Sequence, residues 1–412
     1  MIHITDLPGP EGDQIEAFLG DPERLLHDLQ AYGPVVPVDL GGTPTAVLYD
    51  LEMIHRHFAD KLEHVGRAAV FDRLSHATGT GILSNYEWDT WHPRRRVIVK
   101  PLGAQAVRQF HQRMVMLIDE ELDRWQPGDR PDLMADVRRI TLRVVADLLF
   151  TTDLTPEAER IIDRAVEEIH AWAEADPSNA DTDHEPATFR AAIDELDAYI
   201  RSVIAARPAE SPGDDMVGRL LAAAADDAIP LDTDGVRDEA VTLILAGHET
   251  VTNTITFALD LMARNPAATD VPASAIVDET LRIYPPVHIT GRLIVKELDL
   301  GGVVIPAGWE TLVPEIVLYR DDRFFERAGE FLPERWLEDS PLHLERRAYF
   351  PFLTGPKFCV GSHFALLEAA EAIERFRNRF QITMLDPEAP QGRFFALSYG
   401  PDRPMPYHLE RV

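Results

Sequence analysis

The chain has 412 residues, enough to bury one large core or two ordinary ones, and its 45% hydrophobic and 27% charged content is that of a globular protein. It carries 70 acidic against 40 basic side chains; the formal net charge of −30 repels nucleic-acid phosphates and anionic lipid heads, and argues against both as partners. A single cysteine excludes an internal disulfide and fits a reducing cytoplasm.

The polar N-terminus, with Asp6, Glu11, Asp13 and Glu16, has neither the cationic start nor the apolar run of a secretion signal. No apolar run approaches the roughly 20 residues of a membrane helix, so a soluble protein is expected. Short β-like runs with turns come first, among them Pro34–Val38 and Thr45–Tyr49. Helical periodicity then dominates from Val107 to Phe150, marked by Leu133, Val137, Ile140, Val144 and Leu148. From Trp91 to Ile118 no residue is acidic, whereas Arg94, Arg95, Arg96, Lys100, Arg108 and Arg113 are basic. In so acidic a chain these cations form a positive island.

Polar breaks at Asp176–Pro186 and Pro208–Asp215 read as loops, because amphipathic helices flank both. A third helical region is predicted from Thr233 to about Asn265. Inside it, Ala246-Gly-His-Glu-Thr250 sets three polar side chains in an apolar helix. A mid-helix glycine costs about 1 kcal/mol relative to alanine, so Gly247 points to a close approach by something. His248-Glu249 is no zinc-protease motif, since residue 252, where the second histidine would stand, is Thr. Glu279 and Arg282, three apart, share one helical face ahead of Tyr284-Pro-Pro286. Beyond Pro285 the chain turns β-like again, at Arg292–Val295 and Leu300–Ile305, and a last long helix is predicted from about Val360 to Arg379. No repeat or low-complexity linker interrupts this. The prediction is one domain over 1–412, mainly α with a small β portion: β-rich near 1–60 and 285–315, helical near 90–280 and 360–380.

Phe352-Leu-Thr-Gly-Pro-Lys-Phe-Cys-Val-Gly361 carries the most chemistry. A cation two residues before Cys359 and a predicted helix start just after it both favour thiolate. Gly355 and Gly361 would let backbone approach a flat cofactor with no Cβ in the way. The stretch resembles the haem-ligand loop of the cytochrome P-450 superfamily, Phe-x-x-Gly-x-basic-x-Cys-x-Gly, at Phe352, Gly355, Lys357, Cys359 and Gly361. Matching pieces run in family order from about His92 to Gly361.

That resemblance implies the P-450 fold, a triangular helical domain around haem b, with Cys359 as axial iron ligand. The haem would be held without covalent attachment, in agreement with the absence of Cys-x-x-Cys-His. It implies that Glu249 and Thr250 stabilise bound dioxygen and pass protons to it, and that His92, Arg96, Arg292 and Lys357 reach the propionates. Lys357 stands where many bacterial relatives carry histidine, and offers a point charge in place of a ring donor. Glu279 and Arg282, completed by Arg335, would form a structural triad. Thirty residues separate Glu249 from Glu279, so the usual helix over Pro266–Ile276 is expected to shrink to a turn. The implied reaction is oxygen insertion into a hydrophobic small molecule, a terpenoid, polyketide or modified peptide, in bacterial secondary metabolism. Dioxygen is the co-substrate, and electrons are expected from a separate ferredoxin or flavodoxin and its reductase, because the chain ends at Val412 with no second domain. The substrate pocket would draw on Phe71–Leu83, Leu243, Ala246, Val287, His288, Ile289 and Phe395, with His288 facing either substrate or solvent. Two alternatives stay open: oxidative cyclisation or bond coupling on the same fold, and a haem-binding protein without turnover.

Overall fold

The computed structural model describes residues 1–151, 155–173, 185–208, 210–226, 228–393 and 398–412. Two units emerge from its packing, Met1–Ala69 with Asp278–Cys359, and Val70–Val277 with Val360–Val412.

The first unit is built on a five-stranded sheet, in the order Val35–Leu40, Thr43–Leu48, Glu310–Val313, Thr290–Ile294, Val65–Gly66. The opening hairpin turns at Gly41 and Gly42, both left-handed (φ 68° and 82°), the backbone that a two-residue turn needs. Pro37 is tolerated because its strand is an edge of the sheet. Successive side chains of a strand face opposite ways, so Thr290, Arg292 and Ile294 share the buried face of their strand. The helix Leu51–Ala59 is capped by Asp50, whose carboxylate accepts from the Met53 amide at 2.9 Å, and it buries Ile54, His57 and Phe58. A second sheet joins Ile2–His3, Val303–Ile305 and Leu298–Asp299.

In the second unit a 32-residue helix, Thr233–Arg264, is buried along almost its whole length, as a central helix with apolar neighbours on several sides must be. Asp232 caps it through the Gly235 amide at 2.7 Å. Leu133–Phe150 and Ser362–Arg377 pack on it, and Ala104–Leu122 packs on both of those. Gly128–Arg130, Tyr407–Arg411 and Phe380–Met384 form its small sheet.

The predicted helical stretch from Val107 to Phe150 is two helices, separated at Pro127 and Gly128 (φ 120°) by the strand Gly128–Arg130. Helices Ile15–Gly20, Pro22–Leu29 and Leu51–Ala59 lie in the region read as β-like. Pro266–Ala268 is a single 3-10 turn, and Ala273–Ile283 is helical again. Most of the break at Asp176–Pro186 lies outside the described residues. Among the described residues no helix is long and apolar enough to cross a membrane.

Candidate functional site

In the first unit Cys359 is exposed at the end of a tightly braced loop. Its amide donates to the Phe352 carbonyl at 2.9 Å, and the Phe358 amide donates to Gly355 at 3.1 Å. Gly355 is left-handed (φ 72°), and a Cβ there would lie 2.1 Å from the Phe58 carbonyl oxygen. A close neighbour that demands glycine here is the backbone at Phe58 and Ala59. Lys357 is partly exposed on the same loop.

Arg292 is 1% exposed. It donates to the His57 carbonyl at 3.1 Å, and its guanidinium lies 5.0 Å from the Phe58 ring centroid. Thr311 bridges the region: its hydroxyl donates to the Arg292 carbonyl at 3.1 Å and lies 3.2 Å from His57 Nε2. Burial, with the Arg292 charge, holds the His57 ring well below its usual pKa and so neutral.

Glu279, Arg282 and Arg335 come together with almost no exposure. Arg282 donates to Glu279 through Nε at 3.0 Å and Nη2 at 2.8 Å, and Arg335 Nε reaches both carboxylate oxygens at 3.1 and 3.0 Å. The Trp336 indole and the Leu332 amide, two partners with no sequence signal, each add a bond of 2.9 Å to the same carboxylate. The remaining guanidinium hydrogens go to carbonyls of Tyr319, Ala328 and Glu330 from Arg282, and of Glu326 and Arg327 from Arg335.

In the second unit the central helix opens for one turn. Residues on either side are buried, but Ala246 is exposed and Gly247, Glu249 and Thr250 are partly so. Gly247 answers to Val145, whose methyl carbon would lie 3.3 Å from a Cβ. The Thr250 hydroxyl donates to the Ala246 carbonyl at 2.8 Å, one helical turn back. The Glu249 carboxylate instead meets the ring of His170, on the helix Pro156–Ala173, a partner that sequence reading missed. The two adjacent side chains thus point to different partners. His248 is buried and pushed down to about 3 by burial and then by the charge of Arg138, so it is neutral.

His92 stacks on Trp88 (4.8 Å, 8°), and Arg96, four residues on in the helix Trp88–Leu102, is exposed. Three of the six island cations are engaged within the fold. Arg94 is buried, donating to the carbonyls of Pro230 at 2.8 Å and Thr80 at 3.0 Å, and Arg113 pairs with Asp147 at 2.5 Å. Arg95 lies over the Trp91 ring at 5.3 Å, while Arg96, Lys100 and Arg108 are exposed. Of the expected pocket residues, Leu243 is buried and Val287 and Ile289 are partly buried. His288 is 6% exposed, which removes the solvent-facing option. Phe395 lies outside the described residues.

The cytochrome P450 family model matches residues 21–270 and 273–402. The chain belongs to the cytochrome P450 family. It is 26% identical to cyclooctatin synthase of Streptomyces melanosporofaciens, over 93% of this chain and 91% of that one. It is 25% identical to pentalenene oxygenase of Streptomyces avermitilis, over 89% and 88%. A six-coordinated cytochrome P450 from Thermus thermophilus superimposes with a TM-score of 0.76 at 26% identity, covering 95% of this chain and 99% of that one. This P450 is therefore a monooxygenase whose cofactor is haem b and whose turnover requires dioxygen and a redox partner. The residues present in the first unit suit that group: one soft sulfur donor exposed on a braced loop and a buried guanidinium.

Proposed function

We propose that this P450 oxidises a hydrophobic, terpenoid-class small molecule, with Cys359 as the haem-iron ligand and His92, Arg96, Arg292 and Lys357 serving the propionates. The exposed sulfur of Cys359 carries the ligand assignment, because the chain has no other thiol. A thiolate-bound haem supplies electron donation that favours O–O cleavage. Around it the protein's own groups hold charge and move protons. Arg292 and Arg96 bring cations that carboxylates bind more strongly than neutral donors. The Thr250 hydroxyl can accept a hydrogen bond while donating to Ala246, so it can order water, and the Glu249 carboxylate one residue earlier is its acid–base neighbour in the relay. Leu243, Ala246, Val287, His288, Ile289 and Phe395 are assigned to the substrate.

The substrate class follows the terpene-related names of the relatives, to which cyclooctat-9-en-7-ol 5-monooxygenase of Streptomyces melanosporofaciens adds a third, 26% identical over 88% of this chain. The mainly apolar pocket set agrees with it. Electrons are assigned to an acidic ferredoxin or flavodoxin with its reductase, acting on a chain that works as one domain over 1–412. The test has two parts. The reduced, carbon-monoxide-bound protein should show the red-shifted Soret band of thiolate ligation, and Cys359→His should lose it while keeping haem. A panel of cyclic terpene hydrocarbons and alcohols should then include ligands that shift the haem spin state. A globin-like carbon-monoxide spectrum in the unmodified protein would overturn the ligand, and a panel without response would overturn the substrate class.

A further inference from the structure

Beside Arg292 lies a buried carboxyl that none of the assigned roles uses. Glu315 opens the short helix Glu315–Tyr319 and is 1% exposed. Its Oε1 accepts from the Thr290 hydroxyl at 2.5 Å, while Oε2 has no hydrogen-bond partner among the described residues. The strand sets this up. Period-2 alternation turns Thr290 and Arg292 to one buried face, and the Ile316 amide, donating to the His288 carbonyl at 3.0 Å, pins the start of the helix to the strand's approach. Glu315 is thus hydrogen-bonded to Thr290, and Arg292, on the same buried strand face as Thr290, acts on it electrostatically while donating to the His57 carbonyl.

The charged and titratable neighbours are few. Arg292 is the cation within electrostatic reach of Glu315; Tyr319, on the same helix, is pushed far up by burial and then by Glu315; His57 is neutral. None of these three supplies a second positive charge to the carboxyl. Leaving a lone carboxylate in such a place is costly, so a proton is the cheaper solution.

We propose that Glu315 is a proton-linked positioning residue for Arg292: neutral, it leaves the guanidinium to the carboxylate that Arg292 serves; ionised, it competes for that guanidinium. Burial pushes Glu315 up to about 8, against the pull of the Thr290 hydroxyl, of the Glu315 and Thr290 backbone amides and, least, of the Arg292 charge, so the exchange falls at mildly alkaline pH. The proposal rests on the assignment of Arg292 to a haem propionate. It makes the grip on the cofactor weaken as the medium becomes alkaline, the proton leaving to solvent.

Haem transfer from the holoprotein to excess apomyoglobin, followed from about pH 6 to about pH 9.5, tests this. The wild-type release rate should rise about fivefold, the low end of ordinary coupling between sites, through a step centred near 8. Glu315→Gln, nearly isosteric, should release haem at the slow rate throughout. Thr290→Val, which deletes the hydroxyl that favours the ionised form, should move the step to higher pH. Infrared difference spectra over the same range should lose a protonated-carboxyl C=O band in the wild type and show no such loss in Glu315→Gln. A wild-type step that persists in Glu315→Gln overturns the proposal. Arg292→Gln separates the two claims: it should release haem faster at every pH and show no step. If it releases haem as slowly as wild type, the propionate assignment itself fails. If it releases faster while Glu315→Gln keeps the step, only the role of Glu315 fails.

Discussion

At the open turn of the central helix, the proton-delivery role proposed for Glu249 and Thr250 comes down to a few atoms. Thr250 donates to Ala246, and Glu249 meets His170, so neither side chain is committed to the other. Thr250→Ala should leave haem loading and substrate affinity nearly unchanged while peroxide formed per reductant consumed rises several-fold, at the scale of a lost proton-transfer group. An unchanged peroxide yield would remove Thr250 from the proton path. Glu315 gives a second residue-level expectation. Its folded pKa, about 8, lies above the ordinary 4.5, so between these values the native state holds a proton that the unfolded chain has released. Its contribution to stability is complete below about 4.5 and is lost as pH rises toward about 8. Urea unfolding across that window should show wild type losing up to about 1.4 kcal/mol per pH unit relative to Glu315→Gln. Parallel curves for the two proteins would contradict the raised pKa. Sequence could not announce either the Glu249–His170 or the Thr290–Glu315 contact. The partners are 79 and 25 residues apart, and nothing in a single glutamate tells which side chain the fold will bring to it.

Among the elements, the segment Asp278–Ile283 does the most with the fewest residues. Glu279 collects two buried guanidinium groups, a part-buried indole and a buried amide. Glu279→Ala would leave both arginines charged without their acceptor, at a cost of about 3–5 kcal/mol, where an exposed pair such as Arg24 with Asp28 contributes little. Poor folding and low haem content in expressed protein are the expected outcome, and a fully haem-loaded Glu279→Ala with wild-type urea midpoint would contradict it. The spacing of Glu279 and Arg282 was readable in the sequence because it depends only on helical period. Long or periodic elements were readable for the same reason, as with Thr233–Arg264, predicted to end at about Asn265. Elements of six to nine residues near the N-terminus were not, since periodicity needs several turns to register. Gly128–Arg130 was not readable at all: a three-residue strand exists only because Tyr407–Arg411 is there to pair with it.

For the whole molecule, a net charge of −30 bears on the proposed acidic electron donor, because long-range repulsion would have to be beaten locally. The sequence offered six cations for this; burial of Arg94 and the pairing of Arg113 with Asp147 show that composition alone overcounts a surface patch. Lys100 and Arg108 are exposed and can act on an approaching partner. Reversing both to Glu should slow first-electron transfer from an acidic ferredoxin roughly 10-fold at low ionic strength. The effect should shrink as added salt brings the screening length to about 8–10 Å near physiological strength. Substrate affinity, read from the spin-state titration, should not move, since neither residue belongs to the pocket set. Stopped-flow reduction at two salt concentrations measures both quantities on the same preparations. Equal rates for wild type and the double reversal at low salt would take the docking face away from these two helices, Trp88–Leu102 and Ala104–Leu122.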